Sequence, residues 1–584
     1  MTLISFQPEH LHTEAEGCQW IHPHYRLQLT AYDKVWRLHI SHRFEDHQKP
    51  SLFDRPPVKI SHTREPHFTR CEAEGLFAIA VHHSPCRFSG NLLHNLGIVT
   101  EPTESWGQTE PFDSGDPHIF KGHPVREQLN GTPLGAGLTL SFALPEDLDF
   151  YGLGERTGFL NKRGRRWTHW SSDEFFHSPD KDPLYQAHPF VILRQGDAYL
   201  GLFLDESWYS VFDLGYTLPD QWMIHTAGST ADLYLITGES PAEILSRYTE
   251  AVGRAPLPPL WALGMHQCRW SYPNARSAQD IVAQYHAHQL PLDALWLDID
   301  YMDAYKVFSF SRHRFPEPEQ MIAQFATQGI KTVVIVDPGV KRERHYPIYA
   351  SGHAEQLFVR NQRDEELVGE VWPSPVVWPD FSLERTRHWW GDLHSFYTHK
   401  GVAGIWNDMN EPAAFRWPGK TLPLDARQSM GSHAEHHNRY GLQMAQATYE
   451  GLKRLKPDHR PFVLTRSGSP GIQRYAWVWT GDNASHWEQL EGSIPMLLNL
   501  GMSGVPFIGA DVGGFSGSAD GELLAAWSWL GVFYPFMRNH SAKMNRAQEP
   551  WIFGEPWLSQ IRSALQFRYE LLPYLYTLSK EATR

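Results

Sequence analysis

Cysteine is scarce in this chain, four residues in 584, and that scarcity excludes a good deal. Cys18, Cys71, Cys86 and Cys268 form no CxxC pair, so neither a disulfide framework nor a cysteine-based zinc site is indicated. No apolar run reaches the length needed to cross a bilayer, so no membrane partner is expected. The opening MTLISFQPEHLHTEAEG lacks a basic leader followed by an apolar core. It does not read as a signal peptide, and a cytoplasmic location is the expectation. Positive charge is in deficit: a formal charge of -14 argues against a nucleic acid partner, whose phosphates would be repelled. There is no low-complexity segment, no HExxH, and no Gly-rich dinucleotide loop, so no cofactor and no metal are predicted.

What is present is ordinary globular composition, 41% hydrophobic and 20% charged, in a chain too long for one ordinary domain. Trp is plentiful at 23 residues. Indole faces suit sugar rings, although large domains also bury many Trp residues for packing alone. From residue 1 to about 240, short β-type runs such as WRLHISHRF and AYLGLFLDES alternate with turn signals, which predicts a β-sandwich. A helix is predicted in SPAEILSRYTEAVG, with Ser240-Pro241 as cap and first turn. RAPLPPLW (Arg254 to Trp261) then separates two regimes. Asn130-Gly131-Thr132 matches a glycosylation acceptor, a triplet that arises often by chance.

After Pro259 apolar strands alternate with amphipathic helices. Eight strand runs can be counted: WALGMHQCRW, ALWLDID, TVVIVDPGV, GVAGIWNDM, PFVLTRSG, YAWVWTGD, VPFIGADVGG and VFYPFMRNH. Eight such units predict a (β/α)₈ barrel rather than an open doubly wound sheet. The expected division is residues 1–253 for the sandwich and 254–584 for the barrel, with an inserted lobe at about 341–400. Six runs end in residues able to do chemistry: Asp298 and Asp300, Asp408, Arg466, Asp482, Asp511, and His540. Barrel enzymes gather their sites at these strand ends.

Two of these ends stand out. WNDMNEP (Trp406 to Pro412) and WTGDN (Trp479 to Asn483) each put a carboxylate after an apolar run and beside indole rings. Paired carboxylates across an aromatic pocket are the arrangement that cleaves a glycosidic bond, one attacking the anomeric carbon and the other protonating the departing oxygen. Asn407 and Asn410 are expected to supply donors that keep Asp408 charged, and burial against Trp479 to raise Asp482. Glu411 is the tempting wrong choice. Alternation along an extended strand would turn it away from the face of Asp408, so it is expected to be a buried partner. Asp300 and Asp303 are expected to be structural. His433, His436 and His437 in HAEHHNRYG invite a metal reading but lack the zinc spacing.

At these residues the chain resembles glycoside hydrolase family 31, in its α-glucosidase branch. The resemblance runs from about Tyr151 onward and rests on YGLGERTGFLNKRG, WLDIDYMD, VDPGV, WPDF, WNDMNEP, LTRSG, WTGDN, GADVGGF and FYPFMRNH, in the family's order. It implies Asp408 as nucleophile and Asp482 as acid/base of a retaining hydrolase acting on non-reducing terminal α-linked glucose of small oligosaccharides. It implies that Asp298, Arg466 and His540 bind hydroxyls of that glucose. Trp372, Trp406, Met409, Phe415 and Phe515 would form the pocket wall, with Ile299 and Val340 beside them and Asp511 close to the acid/base. Asp173, in HWSSD, would touch the leaving sugar. Transglucosylation through the same intermediate, or an inactive sugar-binding relic, are the other readings. The family continues past the eighth barrel helix into further β-domains. Their absence here leaves a natural short form or, the expectation preferred, a fragment of a longer reading frame with an exposed apolar lower barrel surface. Linkage preference and oligomeric state are not legible.

Overall fold

The computed structural model describes residues 137–584 continuously and, before them, residues 11–14, 17–21, 25–42, 52–53, 56–64, 68–74, 76, 78–83, 86–90 and 93–99. The Asn130-Gly131-Thr132 triplet lies outside the described residues. The chain divides into two compact units. The first holds Met1–Trp170, Ala187–Gly253 and Leu498–Gly504, and the second holds Ser171–Gln186, Arg254–Leu497 and Val505–Arg584.

The first unit is the expected sandwich: an eight-stranded and a nine-stranded sheet, with antiparallel pairing throughout its strands. Alternation along the strands sends one face of each sheet inward. Their apolar residues, including Trp20, Trp36, Phe150, Trp167 and Trp222, make one continuous core. Cys18 and Cys71 meet in that core with their sulfurs 3.7 Å apart, a proximity no sequence spacing announces. The predicted helix runs Pro241–Val252, and the Ser240 hydroxyl accepts from the Glu243 amide at 3.3 Å.

The second unit is a parallel barrel. Its strands are β1 (Met265–Gln267), β2 (Ala294–Leu297), β3 (Lys331–Val336), β4 (Gly404–Asn407), β5 (Val463–Thr465), β6 (Trp477–Trp479), β7 (Ile508–Gly509), β8 (Asp511–Val512) and β9 (Met537–Asn539). The seventh predicted run is thus two short strands. β7 pairs with β6 and β8 pairs with β9, with Ala510 between them, and β9 pairs with β1, so the ring is closed except between β7 and β8. Strands buried on both sides are apolar throughout, which is why their runs are readable. Trp296, Trp406, Trp479 and Arg538 come from alternate runs, the second, fourth, sixth and eighth. The Arg538 guanidinium lies 4.6–5.1 Å from the three indole rings. Four side chains from alternate strands are one layer of a barrel interior.

Between β3 and β4 the chain forms a two-residue pairing of Val340–Lys341 with Val376–Val377, then the helices Pro347–Ala354, Glu384–Leu393 and Ser395–Thr398. Glu384–Leu393 packs on the long helix His433–Leu455 at a crossing of Gly391 and Gly451. A Cβ on Gly451 would stand 2.3 Å from the Gly391 Cα, so this crossing admits no side chain. Trp529 on the helix Gly521–Gly531, Phe533 just past it, and Tyr574 and Leu578 on the helix Trp557–Glu581 are exposed. No described helix is long and apolar enough to cross a membrane.

Candidate active site

The strand ends carry the chemistry. The residue directly after the strand is Cys268 for β1, Asp298 for β2, Asp337 for β3, Asp408 for β4, Arg466 for β5 and His540 for β9. Asp482 stands three residues past β6, reached through Gly481 at φ 61°. A Cβ on Gly481 would fall 2.0 Å from the Tyr185 ring, so both the conformation and the contact require glycine here.

Of these residues Asp298, Asp408, Arg466, Asp482 and His540 line a cavity of about 270 Å³, and Cys268 and Asp337 do not. Twelve of the residues singled out in the sequence line it: Asp173, Asp298, Ile299, Trp372, Trp406, Asp408, Met409, Phe415, Arg466, Asp482, Phe515 and His540. Val340 and Asp511 do not. Val340 is fully buried in its pairing with Val377, and Ile335 of β3 takes the wall position instead. Asp511 is fully buried against Arg538 at 2.8 Å. Sequence reasoning missed Phe175, Trp270 and Ile335. Phe175 lies two residues past Asp173, and Trp270 ends the first run, so both sit in segments already marked as chemical. Trp270, Trp372 and Phe415 form one aromatic side, with ring centroids 5.5 and 5.1 Å apart. Phe515 and His540 form another at 4.7 Å, with Trp406 edge-on to His540 at 5.3 Å.

One guanidinium organises the acids. Arg466 Nε and Nη2 donate to the two oxygens of Glu411 at 2.9 and 2.8 Å. Its Nε also lies 3.2 Å from Asp408, its Nη1 3.4 Å from Asp482, and its Nη2 3.6 Å from Asp173. The Tyr185 ring faces the guanidinium at 4.9 Å, and the Tyr185 hydroxyl accepts from the Asp482 amide at 3.3 Å. The segment holding Asp173 and Tyr185 is fixed within the barrel unit at both ends. The Ser171 amide donates to Asn438, and Gln186 Nε2 donates to the Arg466 carbonyl at 2.5 Å.

Glu411 is a buried partner as expected, but for a different reason. The chain turns at Met409, with φ 56°, and brings Asp408 and Glu411 onto the same guanidinium rather than onto opposite faces. The donors to Asp408 are likewise not the asparagines. Asn410 is engaged with Thr465 and the Ser467 amide. Arg466 and the Met409 amide are what hold the Asp408 carboxyl down, against burial that raises it.

One cation cannot balance four ionised carboxylates, and the proton affinities follow. Burial, joined by repulsion from Asp408 and opposed by Arg466, lifts Asp482 well above the usual carboxylate range. Asp408 is raised too, but Arg466 and the Met409 amide both oppose the shift. Burial lifts Asp298 well above its usual value, as it does Asp337, where the Asp408 charge adds to it. Burial beside Arg538 drives His540 well below the usual range, so it is a neutral ring.

The sequence's histidine cluster is structural. His433 Nε2 and His437 Nδ1 share a hydrogen bond at 3.1 Å, Thr421 sits 3.3 Å from each, and His437 Nε2 bonds the Ser171 carbonyl at 2.7 Å. Burial keeps both rings neutral, His437 down to about 3.

Carboxylates paired at the C-terminal face of a parallel barrel, across an aromatic cavity, define the glycoside hydrolase class of site. The chain belongs to glycosyl hydrolase family 31. Residues 255–578 match the family's TIM-barrel domain, and residues 26–213 match its N-terminal galactose mutarotase-like domain. "Alpha-glucosidase 2" of Bacillus thermoamyloliquefaciens is 46% identical over 453 residues, 76% of this chain and 57% of that protein. The crystal structure of the ER glucosidase II heterodimeric complex superposes with a TM-score of 0.86 at 26% identity, over 99% of this chain and 71% of that one. A family 31 alpha-glucosidase from Bacteroides thetaiotaomicron gives a TM-score of 0.70 at 37% identity, over 76% of this chain and 73% of that one. The chain spans about half the length of the curated relatives it matches.

Proposed function

We propose that this chain carries the catalytic site of a retaining α-glucosidase, which releases glucose from the non-reducing ends of α-linked oligosaccharides by double displacement. The observation that carries the reading is the asymmetry of the two carboxyls on Arg466. Burial raises both carboxyls against Arg466, Asp482 the more strongly, and Asp408 has the Met409 amide besides Arg466 to favour its charge. An acid and an ionised nucleophile at one pH are what the first step needs. Asp408 attacks the anomeric carbon as Asp482 protonates the leaving oxygen. Once Asp408 is an ester its charge is gone, the repulsion on Asp482 falls, and Asp482 becomes the base that activates water.

The cavity, at about 270 Å³, is smaller than the ~300–1,000 Å³ that holds drug-sized ligands, which suits a single terminal ring. Asp298 and His540 face it as hydroxyl partners, and Asp173 and Phe175 fit contacts to the leaving sugar. The names of the relatives support glucose as that ring.

The test is Asp408→Ala with added azide. Turnover of an aryl α-glucoside should fall by at least about a thousandfold with the melting temperature retained. Azide should partly restore it by occupying the vacated space. Activity within a few-fold of the parent would end the nucleophile assignment.

A further inference from the structure

We infer that Cys268, Asp298 and His540 form a site for a zinc-type divalent cation at the edge of the cavity, and that ion and sugar exclude one another. The three are brought together by topology. They follow β1, β2 and β9, which are neighbours in the barrel, with Gln267 paired to Leu295 on one side and Asn539 on the other. No sequence spacing shows them, since they lie in three separate runs. Their ligand atoms all fall within 4.8 Å of one another, and the Asp298 Oδ2 to His540 Nε2 separation is 3.8 Å.

Thiolate, imidazole and carboxylate are the three donor types zinc takes, at about 2.0–2.3 Å, which sets ligand atoms about 3.5 Å apart in a tetrahedral shell. The observed spacing therefore closes on an ion by small side-chain rotations. Two further features favour a ligand here. The His540 ring, 2% exposed, puts Nε2 beside Asp298 and is oriented by a contact with the Cys268 backbone. Asp298 and His540 also face the cavity, which leaves a fourth position open to water, as in three-ligand zinc sites. Of the two cations that act on His540, Arg538 is matched by Asp511 at 2.8 Å and Arg269 is turned onto the Asn545 carbonyl at 2.7 Å. Cys268 has no place in the proposed chemistry and does not line the cavity, so it separates metal binding from catalysis.

Exclusion of sugar by the ion rests on the α-glucosidase reading; the metal site itself does not. Titration of the whole chain with zinc chloride by calorimetry should show one ion per chain. Cys268→Ala should weaken it at least about tenfold, and glucose should weaken it in the parent. Cobalt chloride should give a near-ultraviolet thiolate-to-metal band in the parent that is absent from the variant. Zinc should raise the apparent KM for an aryl α-glucoside without lowering kcat. Cys268→Ala should keep kcat/KM within about threefold while losing that inhibition. If Cys268→Ala fails to fold, Cys268→Ser keeps the shape with a poor ligand. No stoichiometric binding, or binding unchanged in both variants, overturns the site. A cobalt–thiolate band in a chain that neither binds glucose nor cleaves glucosides would keep the site and reject the glucosidase reading.

Discussion

Glu411→Gln tests how the site is held together. The Glu411 side chain is 1% exposed and takes both oxygens to Arg466 at 2.9 and 2.8 Å. Gln keeps the shape and one acceptor oxygen but turns an amide NH₂ toward the guanidinium. Breaking one partner of a buried ion pair costs about 3–5 kcal/mol. The barrel unit holds about 340 residues. At roughly 2.1 cal/mol/K per residue its unfolding entropy is about 0.7 kcal/mol/K, so melting should fall by about 4–7 °C. Activity should change in a specific direction. Arg466 released from Glu411 carries its full charge to Asp408 and Asp482, at 3.2 and 3.4 Å, and lowers both carboxyls. The acid role proposed for Asp482 requires its proton, so the alkaline limb of kcat/KM should move to lower pH. Each unit of that shift removes about tenfold of the active form above its pKa. Scanning calorimetry and a pH–rate profile read the two effects. Melting within about 1 °C of the parent, with an unmoved alkaline limb, would refute the role given to Glu411.

Asp482→Asn should slow substrates with poor leaving groups by about 10²–10⁴ while sparing activated aryl α-glucosides, and should abolish the alkaline limb. Equal losses on both substrate types would show that Asp482 is not the acid. Gly481→Ala should destabilise the barrel unit by about 2–5 kcal/mol, from the left-handed backbone and the clash with the Tyr185 ring. It should also impair turnover by displacing Asp482, and a fully active, equally stable variant would contradict the tight fit between Gly481 and Tyr185.

The barrel was legible because parallel strands are buried on both faces and so read as unbroken apolar runs, each ending where the backbone opens onto the catalytic face. VPFIGADVGG read as one strand because its composition is continuous; only pairing to two different neighbours divides it at Ala510. The site was legible where a strand end fixes a side chain, as with Asp298, Asp408, Arg466 and His540. It was not legible where a partner decides. Asp511 looked like a strand-end carboxylate of the same kind, but Arg538, 27 residues on, takes it into the barrel core. Val340 was displaced by its pairing with Val377, and Ile335 took the wall. Phe175, Trp270 and Tyr185 belong to segments whose meeting depends on the folded barrel. The strand argument about Glu411 reached the right residue by a wrong path, since the turn at Met409 ends the alternation it assumed.

The most direct test of the central claim is the anomer released first. If Asp408 forms a covalent ester that Asp482 then helps water to cleave, two inversions leave the configuration unchanged. Proton NMR of an α-glucoside digest, recorded before mutarotation, should show α-glucose accumulating first and the β-anomer only as equilibrium is approached. β-Glucose as the initial product would mean direct attack by water, and the roles assigned to Asp408 and Asp482 would fall together.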